Sequence, residues 1–174
     1  PFAPANPEGY PGWMSPVEAA RPHQATLVPD DPNQLTSDHG WDIEAHADRL
    51  APIISQLHDW GARVSLFVDP TPRGLERASE LGVDRVELYT GPFAAAHGGP
   101  EFEQVLARYV EAGRAARAVG LELNAGHDLN LDNLGALLEA VEGVAEVSIG
   151  HALTADALEL GMGPAVRAYL QIIA

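Results

Sequence analysis

The sequence contains no cysteine among its 174 residues, so disulfide bonds, thiolate nucleophiles and cysteine metal ligands are excluded. Basic residues are also few: 10 Lys and Arg stand against 25 Asp and Glu, which gives a net charge of −15. This negative net charge disfavours nucleic acid and anionic membranes as partners, because both are negatively charged themselves. Small phosphorylated ligands stay possible, since a few backbone N–H groups at a helix N-terminus can bind a phosphate.

Long apolar runs are missing too, because no segment approaches the roughly 18 apolar residues that span a bilayer. No signal peptide opens the chain. With 46% hydrophobic and 20% charged residues the composition is that of a globular protein. We therefore expect a cytoplasmic protein with a single domain over residues 1–174, in which 1–20 form a loop and lead-in. The chain begins at Pro1 without an initiator methionine, so we also expect that an upstream segment has been removed or left out.

What is present is a regular alternation of short β-branched runs and segments with helical spacing. Strands are predicted at 24–29, 63–69, 85–91, 121–126 and 146–151, and helices at 43–60, 72–81, 99–119 and 131–141, with a final helical segment after His151. Residues 1–16 hold five prolines and no apolar period, which predicts an extended loop. Strands that alternate with helices indicate βαβ units and a parallel sheet.

Glycines punctuate this alternation: Gly61, Gly82, Gly120 and Gly143 each follow a predicted helix, where a left-handed C-cap is expected. The α/β fold could be an open doubly wound sheet or part of a closed barrel. No glycine-rich dinucleotide fingerprint opens a helix, which disfavours the first. Polar residues follow the predicted strands and would converge on one face of a barrel, which favours the second.

The C-terminal segment carries a further pattern. Thr154 is predicted to cap a short helix through Glu159, and Gly161-Met162-Gly163-Pro164 breaks it before a second helix. A short extra helix after the last strand of a barrel often holds phosphate. One long helix kinked at the Gly-Met-Gly-Pro segment is the alternative.

Five blocks of the sequence, taken in order, resemble the pyridoxine 5′-phosphate synthase family. They are PHQATLVPD at 22–30 continued by LTSDHGWD at 35–42, VSLFVD at 64–69, VELYTG at 86–91, LNAGH at 123–127 and IGHA at 149–152. These blocks are similar to the fourth to eighth strands of that family and their following loops. The likeness runs without large gaps from about residue 21 to the end of the chain.

The resemblance implies a (β/α)8 TIM barrel of which strands four to eight lie in this chain, assembled into a homo-octamer. It implies condensation of 1-deoxy-D-xylulose 5-phosphate with 3-amino-2-oxopropyl phosphate, giving pyridoxine 5′-phosphate, inorganic phosphate and water. No metal or organic cofactor is implied. The family's first three strands, with an acid/base histidine and glutamate, have no counterpart here, so we expect a polypeptide of these residues alone to be inactive and aggregated or partly molten.

Two residues are predicted to be catalytic. His127 ends the NAGH block, and an imidazole suits proton delivery to a leaving oxygen. From the sequence alone a single histidine in a loop is more often a bystander, but the resemblance reverses this, because the matching family position is the proton donor. Glu87 lies in the third predicted strand between apolar neighbours, where a carboxylate needs a partner or a proton. A structural ion pair would explain it, whereas the resemblance implies stabilisation of the transition state.

Four residues are predicted to bind substrate, each by resemblance. Gly150 and His151 match the pair that holds the phosphate of the amino-ketone, although a tight turn with a surface histidine is the simpler alternative. Asp128 matches a position that contacts the same substrate and that we expect to be glycine in some members. Thr36 matches a threonine that binds the pentulose phosphate, or is an ordinary loop residue.

Other classes of function fit the sequence less well. The remaining histidines show no spacing suggestive of a metal site, and neither a G-x-S-x-G elbow nor a P-loop is present. Two alternatives remain open: another phosphate-binding TIM-barrel enzyme, such as an isomerase or aldolase, and a truncated relative without catalysis.

Overall fold

Five parallel strands form one sheet in chain order, which confirms the α/β prediction. The computed structural model describes residues 1–7, 9–31 and 34–174. The strands are β1 (Gln24–Leu27), β2 (Arg63–Val68), β3 (Arg85–Tyr89), β4 (Glu122–Gly126) and β5 (Val144–Ser148). The helices are α1 (Met14–Ala20), α2 (Ile43–Asp59), α3 (Leu75–Glu80), α4 (Gly91–Ala96), α5 (Phe102–Ala118), α6 (Leu134–Ala140), α7 (His151–Leu160) and α8 (Met162–Ile173).

One face of the sheet is apolar and forms the core of the molecule. Alternate strand residues such as Leu66, Leu88 and Leu123 are fully buried there. They join a cluster that includes Leu50 and Leu57 of α2. Because side chains alternate along a strand, the same strands send every second residue to the opposite face.

The opposite face is polar and strongly curved. Arg85 donates hydrogen bonds to Glu122 (2.6 Å), Asn124 (3.1 Å) and Glu146 (2.9 Å), so that its buried guanidinium links β3, β4 and β5. Gln24 of β1 reaches Glu146 of β5 at 3.3 Å, although β1 and β5 are the two edges of the sheet. A contact between the edge strands requires the polar face to be the concave one.

The predicted glycine caps are confirmed at Gly61, Gly82 and Gly120, whereas Gly143 has the predicted left-handed φ but lies two residues beyond Val141, the C-cap of α6. Gly61, Gly82, Gly120 and Gly143 have φ between 80° and 84°, a left-handed conformation that glycine adopts without a steric penalty. The predicted break at 161–164 is also confirmed: Gly161, with φ 85°, separates α7 from α8. The alternative of one long kinked helix is therefore wrong.

Three predictions about local structure are wrong. The loop assigned to the first 16 residues gives way to α1 from Met14; Pro16 is tolerated because it lies in the first turn, where N–H groups have no helical acceptor. The last strand ends at Ser148, and His151 begins α7. Thr154 therefore lies inside α7, and its hydroxyl donates to the carbonyl of Gly150 (3.0 Å).

The helix α4 was not predicted from the sequence at all. It begins at Gly91, which the pattern assigns to the end of a strand, and Pro92 occupies its first turn. Within the described part of the chain, no helix is long and apolar enough to cross a membrane.

Candidate active site

A cleft of about 440 Å³ lies at the carboxyl ends of β3, β4 and β5. Parallel strands direct the loops that follow them to the same edge, and this is where α/β enzymes hold their ligands. The cleft is lined by Glu87, His127, Asp128, Leu129, Ser148, Ile149, Gly150, His151, Ala152 and Thr154.

The loop after β4 adopts a strained conformation. His127 has φ 92° and Asp128 has φ 57°, so two consecutive residues with side chains occupy the left-handed region. Each such residue costs about 1–3 kcal/mol and persists only where the surroundings impose it. Strain of this kind is concentrated at functional sites.

Two buried side chains hold the carbonyl groups of this loop. The hydroxyl of Thr90, which is fully buried at the end of β3, donates to the carbonyl oxygen of His127. The side-chain amide of Asn133 donates to the carbonyl oxygen of Asp128 at 3.1 Å, and its own oxygen accepts from the N–H of Asn130 at 2.9 Å. Thr90, which follows β3, and Asn133, at the end of the loop after β4, thus hold both left-handed residues in place.

The imidazole of His127 packs against two aromatic rings. The centroid of the Tyr89 ring lies 5.2 Å away in an edge-to-face arrangement, and that of Phe67 lies 6.4 Å away. Nε2 of His127 lies 3.3 Å from the hydroxyl oxygen of Thr36, which comes from the loop after β1. This ring is therefore fixed in orientation while its Nε2 stays within reach of the loops around the cleft.

Glu87 lies on the concave face beneath the cleft and is 8% exposed. Burial raises the pKa of its carboxyl group, and hydrogen bonds from Thr26 and Ser148 oppose that rise. The hydroxyl of Thr26 donates to Oε2 at 3.3 Å. Glu87 has no cationic partner among the interactions of the described residues, so the alternative of a structural ion pair is not supported.

Gly126 makes room for this carboxylate. A Cβ atom added at Gly126 would collide with Oε1 of Glu87 and come within 3.0 Å of the Ser148 side chain. Glycine at the end of β4 thus allows Glu87 to lie against the backbone that leads into His127.

The N-terminus of α7 forms the opposite wall of the cleft. Gly150 precedes the helix and His151 is its first residue. A Cβ atom added at Gly150 would have no atom within 4 Å, so the backbone there is open to an approaching ligand. The first N–H groups of a helix have no acceptor within it and attract anions. Asp128 places a carboxylate near this wall, with Oδ2 at 4.0 Å from Nε2 of His127.

All six residues predicted from the sequence lie at this place. Glu87, His127, Asp128, Gly150 and His151 line the cleft, and Thr36 contacts His127. Their individual roles stay predictions.

The sequence reasoning missed Tyr89, Asn133, Thr26 and Ser148, and it placed Thr90 only among the polar residues at strand ends. No sequence signal links these residues to His127 or Glu87, because the links depend on strand register.

No group of three or more His, Asp or Glu side chains that could hold a metal ion occurs in residues 1–7, 9–31 and 34–174. The candidate site brings together a carboxylate, an imidazole and a helix N-terminus. Such a set can transfer protons and bind a phosphate.

Comparison with known proteins identifies relatives over most of the chain. Residues 8–174 match the family model of pyridoxal phosphate biosynthesis protein PdxJ. Pyridoxine 5′-phosphate synthase of Albidiferax ferrireducens is 59% identical over 152 residues, which cover 87% of this chain and 60% of that protein. The synthase of Brucella anthropi is 52% identical over 177 residues, covering 100% of this chain and 72% of that protein. The chain thus spans between three fifths and three quarters of the length of these relatives.

Proposed function

The chain belongs to the PdxJ family of pyridoxal phosphate biosynthesis, and we propose that it supplies strands four to eight of a pyridoxine 5′-phosphate synthase. The proposed reaction condenses 1-deoxy-D-xylulose 5-phosphate with 3-amino-2-oxopropyl phosphate and releases pyridoxine 5′-phosphate, inorganic phosphate and water. The observation that carries the proposal is the convergence of Glu87, His127 and the N-terminus of α7 on one cleft.

His127 is the proposed general acid. Ring closure by loss of water and phosphate needs a proton at each leaving oxygen, and an imidazole can deliver it near neutral pH. The contact of Nε2 with Thr36, 3.3 Å away, suits this role, because it brings together the proposed acid and the residue proposed to bind the pentulose phosphate.

Glu87 is the proposed electrostatic stabiliser. Condensation of an amine with a ketone passes through cationic, imine-like species, and a carboxylate close to such a cation lowers its free energy. Its burial strengthens that interaction, because the local dielectric constant is low and water does not compete.

The N-terminus of α7 is the proposed site for the phosphate of the amino-ketone, with Gly150 and His151 in contact with it. The open backbone at Gly150 supports close approach of an anion. Asp128 contributes through its backbone, since its carboxylate would repel a phosphate.

The remaining features of the proposal concern the whole protein. Residues 1–174 form a single domain, and the concave polar face of the sheet corresponds to the lumen of a (β/α)8 barrel. The partners are the phosphorylated substrates and further copies of the same chain in a homo-octamer, and the location is the cytoplasm. These features follow from the family resemblance.

The test is to supply the protein that carries these residues with both condensing substrates and to measure pyridoxine 5′-phosphate by chromatography. The unsubstituted protein is expected to form it, and His127→Asn to lower kcat by about 100-fold or more, the scale for loss of a general acid. His58→Asn is the matched control, because His58 lies at the opposite end of the sheet from the cleft. There its Nε2 lies 3.0 Å from Oδ2 of Asp84. Absence of product from the unsubstituted protein would refute the proposed reaction, and near-normal turnover in His127→Asn would remove that residue from it.

A further inference from the structure

The loop that carries His127 adopts a conformation that the backbone of its first two residues disfavours. Residues with a Cβ atom disfavour the left-handed region, and here two such residues follow one another. If the loop relaxed to ordinary dihedral angles, the imidazole would lose its contacts with the rings of Tyr89 and Phe67. The contact between Nε2 and Thr36 would be lost with it.

The side chains that oppose this relaxation are buried. Thr90 is fully buried and lies between β3 and α4, and Asn133 is 1% exposed and is the last loop residue before α6. Each donates to one of the two carbonyl groups of the strained residues. Because both donors are buried and their positions are fixed, loss of either side-chain donor leaves one carbonyl group of the strained residues without its partner in the protein.

Asn133 is itself held rigidly. Its N–H donates to the side-chain oxygen of Asn130 at 3.0 Å, while its own side-chain oxygen accepts from the N–H of Asn130 at 2.9 Å. The Thr90 backbone is fixed in a similar way, since its N–H donates to the carbonyl of Gly126 at 2.9 Å. Both donors are therefore oriented before a ligand arrives.

We propose that Thr90 and Asn133 are positioning residues that hold the imidazole of His127 over the cleft by fixing the two left-handed peptides of its loop. The expected effect of these two residues on turnover rests on the proposed function. The geometric part, that these donors set the orientation of the His127 ring, stands independently of the reaction.

The test compares three variants with a matched control. Thr90→Val keeps the shape and removes the hydroxyl, Thr90→Ser restores the hydroxyl, and Asn133→Asp removes the donor but keeps the acceptor used by Asn130. The control is Ser79→Ala, because the Ser79 hydroxyl donates to the carbonyl of Val119 (2.8 Å) away from the cleft. Each protein is assayed for kcat and KM with both substrates well below its melting temperature.

Turnover is expected to separate the variants from the control. Thr90→Val and Asn133→Asp should lower kcat by about 10- to 100-fold, the scale of a small misplacement of a reacting group, with KM changed by less than about threefold. Thr90→Ser should recover most of the loss. Ser79→Ala should keep the kcat of the unsubstituted protein even if it melts at a lower temperature.

Nuclear magnetic resonance gives a reading that does not depend on the reaction. The ring protons of His127, assigned by their disappearance in His127→Asn, are expected to be shifted by the rings of Tyr89 and Phe67. In Thr90→Val and Asn133→Asp these resonances should move toward those of a free histidine, and in Ser79→Ala they should not.

Unmoved resonances in both variants, with kcat equal to that of Ser79→Ala, would overturn the proposal. If the unsubstituted protein forms no product, the proposed reaction fails while the resonances still decide the positioning role.

Discussion

At the scale of single residues, the charge of Glu87 depends on its position beneath the cleft. Its pKa is raised above the usual value of 4.5 chiefly by burial and in addition by Glu146, while hydrogen bonds from Thr26 and Ser148 limit the rise. The ionised form is therefore less favourable in the folded chain than in the unfolded chain. The carboxylate that we propose to stabilise a cationic intermediate is thus kept at the expense of stability.

This linkage gives a pH dependence with a definite sign. Since the folded pKa is the higher one, Glu87 contributes stability that is fully present below its unfolded pKa and is lost as the pH rises through its folded pKa. The free energy of unfolding of Glu87→Gln, relative to the unsubstituted chain, should thus increase between about pH 4 and about pH 8. Urea unfolding at a series of pH values measures it, with the exposed Glu103→Gln as the control for the chemical change. A relative stability that stays constant or falls would contradict the burial argument.

At the scale of secondary-structure elements, α7 and α8 depend on one another. Tyr169 of α8 is 5% exposed, and its hydroxyl donates to Oδ2 of Asp156 of α7 at 2.6 Å. No residue of α7 is itself buried, so this bond to a buried side chain of α8 supports the helix that forms one wall of the cleft, beside the packing of Leu153 against the core.

Removal of that bond should loosen α7 in particular. Tyr169→Phe is expected to lower the free energy of unfolding by about 1 kcal/mol, because the Asp156 carboxylate can turn to solvent. Amide hydrogen exchange should speed up in α7 more than in α2 or α5. Tyr10→Phe serves as control, since Tyr10 is exposed. Equal protection of α7 in Tyr169→Phe and in the control would show that apolar packing alone holds the helix.

The elements also show what the sequence could predict. The long helices α2 and α5 could be predicted from the spacing of their apolar residues. The left-handed glycines could be predicted because glycine is the residue that adopts a positive φ without a steric penalty. Both are local properties of the sequence. The start of α7 at His151 was missed, because β5 is shifted toward the N-terminus and its pairing with β4 contains an irregularity at Leu123/Asn124. The short helix α4 was missed since Gly91-Pro92 is typical of both a turn and a first helical turn.

At the scale of the whole molecule, the position of the site could be predicted from topology, whereas the interactions within it could not. Parallel strands bring their carboxyl ends together, so the order of the blocks was sufficient to place His127 near Gly150. The hydrogen bonds from Thr26 to Glu87 and from Thr90 to His127 join residues 61 and 37 positions apart, and strand register decides them. The barrel remains part of the proposal, because the structure shows one curved sheet with two edges.

The two sheet edges and an apolar helix surface favour association of the described chain with other chains. None of the residues of β5, at one edge, is buried. The apolar surface of α7 and α8 consists of six exposed side chains: Leu158, Leu160, Met162, Val166, Leu170 and Ile173. An open strand edge beside exposed apolar side chains favours association with other chains. The net charge of −15 opposes it by mutual repulsion.

A polypeptide of these 174 residues is therefore expected to associate, and to do so more strongly as salt screens its charge. Light scattering coupled to size exclusion should show a mass that rises between about 20 mM and about 500 mM NaCl, over which the screening length falls to a few ångströms. The double variant Leu158→Lys/Leu170→Lys should reduce the mass, because it places charges within the apolar surface. Ala107→Lys/Ala118→Lys adds the same charges at exposed positions of α5 and should leave the association in place. A monomer that melts cooperatively at every salt concentration would show that neither the strand edge nor the apolar surface of α7 and α8 recruits another chain.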